Sequence, residues 1–156
     1  MNDYIFGYLE NMRADNAESI LTNIAMQYNC GLKQMPQSTL FGFPETYLPD
    51  PNISHFIFTI THSPESCEAD YFIDYYDYSP DADFISPTEG KKRLDILINI
   101  LHDMFIKTEC ERLVVSLTDS GYAYSTQKVR LSDLRQVLHA DLAIDAPPDR
   151  LYDITQ

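Results

Sequence analysis

The chain is poor in several residues on which common chemistries depend. Its 156 residues contain no tryptophan, five glycines and three cysteines. So few glycines provide no Gly-rich phosphate-binding loop, and no G-x-S-x-G nucleophile motif is present. Cys67 lies among Glu65, Glu68 and Asp70, which disfavour a reactive thiolate. We therefore predict a protein that is not an enzyme and needs no cofactor.

Targeting signals and long apolar runs are also missing. The N-terminus reads Met-Asn-Asp, without the basic and apolar regions of a signal peptide, and no apolar run approaches the roughly 18 residues of a membrane span. An odd number of widely spaced cysteines is typical of a reducing compartment. These features predict a cytoplasmic protein that does not bind membranes.

Positive charge is scarce in the first half of the chain, where neither Lys nor Arg occurs between Lys33 and Lys91. Residues 1–90 hold 14 acids and 2 bases, a balance of −12, whereas residues 91–156 hold 10 acids and 9 bases, a balance of −1. The net charge of −13 disfavours direct binding to nucleic acid or anionic membranes, since both require clustered bases. A basic protein is the expected partner.

Hydrophobic periodicity predicts three helices with defined starts. Asn16 precedes a helix that ends at Cys30-Gly31, Ser86 opens a capping box for a helix to about Lys107, and Ser132 precedes a last helix before Pro147. The spacing of apolar residues between Tyr4 and Met12 favours a further helix over an edge strand.

The remaining segments predict strands and one long connection. Residues 31–54 are expected to be irregular and held to the body by Leu40, Phe41, Phe43 and Tyr47. Strands are expected at 55–62 and 70–78, paired antiparallel, and at 113–118 and 122–129, joined as a hairpin. Residues 150–156 are expected to form a tail that docks on the body. The fold prediction is a single α+β domain over residues 1–156, with a mostly antiparallel sheet of about four strands and three to four helices packed on it.

The stretch from Glu65 to Asp83 is the candidate binding site. It contains seven carboxylates, four tyrosines and no base. Carboxylates steer a basic partner, while tyrosines provide contact area at low entropic cost. The alternative is a solvated edge strand whose charges prevent unwanted pairing. The predicted partner-binding residues are Glu68, Asp70, Asp74, Tyr75, Tyr76, Asp77, Tyr78, Asp81 and Asp83.

The spacing of the acidic residues and of the histidines does not indicate a metal site. Asp77, Asp81 and Asp83 do not follow the EF-hand pattern, so no metal site is predicted. His55 and His62 are seven residues apart, which places them on opposite faces of one strand. A small enzyme built around one of these histidines and an acid remains an alternative.

In size, acidity, α+β layout and lack of a catalytic motif, the chain resembles the immunity proteins of bacterial toxin systems, including contact-dependent growth inhibition. The resemblance implies tight binding to a cognate basic toxin domain, often a nuclease, whose active site or an adjacent surface is covered. A phage-type mimic of nucleic acid, which blocks a DNA-binding or defence complex, is the alternative within the binding class.

If the acidic stretch is the contact site, reversing the charge of Asp74 and Asp77 together should slow association with the basic partner and weaken its salt dependence. Stopped-flow association at several ionic strengths measures both effects. Unchanged kinetics in the double variant would exclude the stretch as the contact site.

Overall fold

A computed structural model describes residues 3–73 and 87–156, with side chains described from residue 91 in the second range. The architecture is α+β, as predicted. The strands are β1 (Tyr4–Glu10), β2 (Gly31–Gln34), β3 (His55–Thr61), β4 (Arg112–Thr118), β5 (Ser125–Arg130) and β6 (Arg150–Thr155). The helices are α1 (Ala17–Tyr28), α2 (Asp70–Ile73), α3 (Pro87–Thr108) and α4 (Leu134–Ile144).

The strands form one sheet in the order β2-β3-β1-β4-β6-β5. All neighbours are antiparallel except β5 and β6, which run parallel. The sheet is therefore mixed and has six strands rather than the expected four. The predicted antiparallel character holds for most of the pairs.

The two faces of the sheet are covered differently. Helices α1, α3 and α4 pack on one face, where the α3 residues expected to be buried (Leu94, Leu97, Ile98, Leu101, Met104 and Phe105) lie in the main core. The other face carries a smaller cluster that includes Phe6, Tyr8 and Val114, covered by Leu40 and Phe43 from the segment between β2 and β3. Both faces of the central strands are consequently buried.

Burial on both faces explains why the prediction for the first element was wrong. Ile5 and Leu9 of β1 belong to the helix-side core, whereas Phe6 and Tyr8 belong to the second cluster. A strand that is apolar on both sides shows no alternation, so its pattern resembles that of a buried helix. Residues 4–10 form a central strand, not a helix.

The predicted strand over residues 70–78 is also wrong in its described part. Asp70–Ile73 form the short helix α2, and the buried residues Ala69, Phe72 and Ile73 follow helical spacing. The neighbours of β3 are β1 and β2. Residues 74–78 lie outside the described residues.

The predicted hairpin of β4 and β5 does not form, because the C-terminal segment lies between them. Leu117 of β4 pairs with Arg150 of β6, and Ser125 of β5 pairs with the same Arg150. The segment expected to dock as a tail is therefore an interior strand.

The connection after α1 has more structure than expected. It begins with β2 and contains two 3-10 helices, Gln37–Leu40 and Glu45–Tyr47. Leu40 and Phe43 are buried, as predicted, but Phe41 is 56% exposed. Thus one of the residues expected to hold this connection to the body faces solvent instead.

Strand β6 is joined to α4 through a buried hydroxyl. Tyr152 has no exposed surface, and its hydroxyl donates to Asp141 Oδ2 at 2.7 Å. Burial and this hydrogen bond raise the pKa of Tyr152, which keeps the hydroxyl protonated. Asp141 Oδ2 also accepts a hydrogen bond from Arg150 at 2.9 Å.

We expect Tyr152→Phe to lower the free energy of unfolding by about 1–2 kcal/mol, because it removes a hydrogen bond to a partly buried carboxylate. Tyr124→Phe is the matched control, since that side chain is 77% exposed and its change should stay within about 0.5 kcal/mol. Urea unfolding measures both. Equal effects of the two substitutions would show that the hydrogen bond from Tyr152 to Asp141 does not stabilise the fold.

Candidate partner-binding surface at the acidic end of the sheet

The strand pairings bring several loops to one end of the sheet. Thr118, the last residue of β4, pairs with Tyr4 at the start of β1, and β5 and β6 both begin beside the same end of β4. The end of β3 reaches this position too, since Ile60 pairs with Ile5. Loops 62–69, 119–124 and 145–149 therefore lie at the same end of the sheet, and we call them, with α2, the acidic end.

Carboxylates are concentrated on the acidic end, whereas its described cations are already engaged. Lys33 Nζ donates to the Ser66 carbonyl at 3.2 Å, Arg93 covers the Tyr71 ring, and Arg150 bonds Asp141. These contacts hold the cations close to the body of the protein. The carboxylates are Glu65, Glu68, Asp70, Asp119, Asp145 and Asp149.

Two of the residues predicted to contact a partner, Glu68 and Asp70, lie on the acidic end, and both have structural contacts. The backbone N–H of Asp3 donates to Asp70 Oδ1 at 2.6 Å, which ties α2 to the start of β1. The carbonyl of Glu68 accepts from the His62 N–H at 3.3 Å. The other predicted residues, Asp74, Tyr75, Tyr76, Asp77, Tyr78, Asp81 and Asp83, lie outside the described residues.

Three exposed aromatic side chains, Phe41, Tyr122 and Tyr124, lie at this end of the sheet, and we call them the aromatic cluster. Phe41 and Tyr122 meet edge to face, with ring centroids 5.2 Å apart. The three side chains are 56%, 49% and 77% exposed. Exposed aromatic groups of this kind mark interaction surfaces more often than isolated exposed apolar residues do.

Two glycines fix the position of the aromatic cluster. A Cβ on Gly42 would lie 1.9 Å from the Gly121 carbonyl oxygen, so only glycine permits this approach of the two backbones. Gly121 has φ +89°, a value that side-chain-bearing residues rarely adopt. The Ala123 N–H donates to the Gly42 carbonyl at 3.2 Å. The cluster thus rests on tightly packed backbone.

The loop of the aromatic cluster is also bonded to the loop that precedes β6. The Tyr124 N–H donates to the Asp149 carbonyl at 2.8 Å, and the Asp119 N–H donates to Asp149 Oδ1 at 2.9 Å. Burial raises the pKa of Asp149, the hydrogen bond from the Asp119 N–H partly opposes this, and the nearby Asp119 and Asp145 carboxylates raise the pKa further. Like charges are therefore held close together beside the aromatic rings.

Sequence reasoning missed Asp119, Asp145, Asp149 and the aromatic cluster because these residues are far apart in the chain. The only local signal was Asp119-Ser120-Gly121, which predicted a turn. Their proximity follows from the insertion of β6 between β4 and β5.

One described histidine has a carboxylate partner. His139 Nε2 lies 2.7 Å from Asp95 Oδ1, and Arg135 bonds the same oxygen and Asn99. The Asp95 side chain is 41% exposed, so these residues form a surface contact between α3 and α4. The adjacent cavity of about 280 Å³ is lined by Asn99, His102 and Arg135 among others, but not by His139.

Neither the buried cysteines nor the potential metal ligands of the described residues indicate a reactive or metal-binding site. Burial raises the pKa of Cys30 and of Cys110 to about 11, which makes both thiols poor nucleophiles at neutral pH. Among residues 3–73 and 87–156, no three His, Cys, Asp or Glu side chains are arranged to hold a metal ion. No helix in the described part is long and apolar enough to cross a membrane.

Comparison of the chain with protein-family models, curated proteins and solved structures gave no significant match.

The carboxylate repulsion at the acidic end predicts that Asp145→Asn raises stability. Because folding raises the pKa of Asp149, protonation of this carboxyl contributes to the stability of the fold at low pH. That contribution to the free energy of unfolding is lost as the pH rises through the raised pKa. Removing the Asp145 charge should therefore raise Tm by roughly one degree at neutral pH, through a few tenths of a kcal/mol.

The gain should be absent below the ordinary carboxyl range, near pH 3, where these groups are protonated. Glu111→Gln is the control, because this exposed acid lies at the opposite end of β4. Thermal unfolding at both pH values decides the point. A loss of stability in Asp145→Asn at neutral pH would show that its carboxylate is a stabilising partner.

Proposed function

We propose that this protein is an inhibitor of a basic protein, of the kind found among toxin-immunity proteins, and that it acts by covering a cationic surface without catalysis. The observation that carries the proposal is the exposed cluster of Phe41, Tyr122 and Tyr124, held rigidly beside Asp119, Asp145 and Asp149. Repulsion between these carboxylates is a cost that a cationic partner would reduce.

The charge and the aromatic rings have different roles in this mechanism. The net charge of −13 attracts a basic partner over several ångströms and speeds its encounter, an effect that salt screens. The rigid aromatic cluster then provides contact area without ordering cost, which lowers the dissociation rate. A nuclease must present a cationic cleft to phosphates, so a surface of this type can occlude it.

The geometry favours binding over a hidden active site. The His139–Asp95 pair lies on the surface with Arg135 on the same carboxylate oxygen, and it does not line the adjacent cavity. His55 makes a local hydrogen bond, in which Nδ1 donates to the Ile53 carbonyl at 2.9 Å. Neither arrangement places a nucleophile beside a base, which acyl or phosphoryl transfer would require.

Neutralisation can be tested in cells by co-expressing this chain with the protein encoded by a neighbouring gene, chosen for a basic composition. If that neighbour is a toxin, wild-type chain should restore growth, and purified complex should show the neighbour's activity blocked. A non-toxic neighbour, or toxicity that persists although the complex forms, would overturn the immunity proposal.

Charge reversal at the acidic end should slow formation of this complex. We expect Asp145→Lys to lower the association rate constant by about three- to tenfold at low salt, with the difference shrinking as salt is added. Glu111→Lys makes the same change in net charge at the opposite end of β4 and should have a smaller effect. Surface plasmon resonance measures both variants. Equal effects of the two would show that only total charge matters and that the acidic end is not the contact site.

A further inference from the structure

The protein contains two internal examples of an arginine held by a tyrosine ring. Arg112 lies with its guanidinium carbon 5.4 Å from the Tyr47 ring centroid and donates to Asp153 through Nε and Nη2, at 2.8 and 3.1 Å. The guanidinium carbon of Arg93 lies 4.6 Å from the Tyr71 ring centroid, and Nη1 donates to the Tyr71 carbonyl at 3.2 Å. In both cases one guanidinium contacts a ring and an oxygen acceptor together.

This combination depends on the shape of the guanidinium. Its planar face stacks on an aromatic ring while its edge donates two parallel hydrogen bonds to a carboxylate. The ammonium of lysine is a compact, strongly hydrated charge, and it cannot make a stacked and a bidentate contact at once. A surface that offers both a ring and a carboxylate therefore discriminates between the two cations.

The acidic end carries both kinds of group, exposed tyrosine rings and carboxylates. Tyr122 and Tyr124 are 49% and 77% exposed, and Tyr124 is backbone-bonded to Asp149. Across the described residues, no hydrogen bond or salt bridge joins a Lys or Arg side chain to Asp119, Asp145 or Asp149. Arg150, the next residue after Asp149, instead bonds Ser125, Gln127 and Asp141.

We infer that the acidic end binds an arginine-bearing loop of the basic partner, with arginine preferred over lysine, through the faces of Tyr122 and Tyr124 and the carboxylates of Asp145 and Asp149. This inference rests on the proposed function and specifies the chemistry of the partner. The tyrosine rings give the preference for arginine over lysine, and the carboxylates attract either cation. The two contributions can therefore be separated by substitution.

Hexa-arginine and hexa-lysine peptides test the inference on the full chain, because they carry equal charge. We expect hexa-arginine to bind about two- to fivefold more tightly for each stacked side chain, the range of an exposed cation–π contact. Two-dimensional NMR titration measures the affinities and should show the largest shifts at the backbone of residues 119–124. Tyr122→Leu with Tyr124→Leu should lower the hexa-arginine affinity to that of hexa-lysine.

Three further variants separate the contributions. Tyr124→Phe retains the ring and should retain the preference for arginine, whereas Asp145→Asn should weaken both peptides by a similar factor. Met26→Ala, which removes an apolar side chain 75% exposed on α1, should change neither affinity. The NMR spectrum of each variant reports whether its fold is intact.

The outcomes distinguish this inference from the proposed function. Equal affinities for the two peptides in the wild-type chain, both reduced by Asp145→Asn, would overturn the arginine inference and leave the basic-partner proposal standing. A preference for arginine that survives the double leucine variant would also overturn the inference. Absence of binding by either peptide at low salt would overturn both.

Discussion

The pairing of β6 with β4 on one side and β5 on the other is the constraint from which the rest of the structure follows. The register runs from Leu113 opposite Ile154 to Leu117 opposite Arg150, and from Ser125 beside Arg150 to Arg130 beside Thr155. Because the last segment of the chain completes the interior of the sheet, β5 cannot join the sheet until β6 is in place. This long-range pairing also brings loops 119–124 and 145–149 to the same end of the sheet.

On the second face of the sheet, a partly buried arginine is neutralised by acids of the same chain. Arg112 bonds Asp153 and lies 3.7 Å from Glu10, and these side chains are 26%, 7% and 14% exposed. The hydrogen bond to Asp153 raises the pKa of Arg112, so the guanidinium remains charged. The Tyr8 hydroxyl donates to the Tyr47 carbonyl at 2.7 Å, which ties the covering segment to this network. Around Arg112, two acids and one base are paired and largely removed from solvent.

Sequence patterns predicted the elements that one clear periodicity defines. Helices α1, α3 and α4 and strands β3 and β4 were expected near their observed limits, because each combines a one-sided apolar pattern or a β-branched run with a recognisable boundary. For strand β1 the sequence predicts a helix, because burial of both faces removes the alternation of apolar and polar residues. The hairpin was predicted because sequence neighbours usually pair, a rule that the insertion of β6 overrides.

Sequence composition predicts which residue types form the candidate surface, but it does not identify all the residues that form it. Local composition pointed to carboxylates combined with aromatic rings between Glu65 and Asp83, and the role of Glu68 and Asp70 in binding stays a prediction. The described residues that give this surface a fixed shape come from three separate parts of the chain, represented by Phe41, Tyr122 and Asp149. Their proximity depends on strand order, which no local pattern encodes.

The contrast between the two ends of β4 is the strongest physical argument for binding. At its first residue, Arg112 is surrounded by acids of the same chain, so the charges are satisfied internally. Beyond its last residue, Asp119 and Asp149 lie together with Asp145 nearby, and burial and repulsion hold the pKa of Asp149 above its ordinary value. Folding alone would favour the first arrangement at both ends, because unmatched carboxylates reduce stability. In the binding that we propose, a basic partner would supply at the second end what Arg112 supplies at the first. The close contact of Gly42 with Gly121 gives that surface a fixed backbone shape, so little ordering would be required on binding.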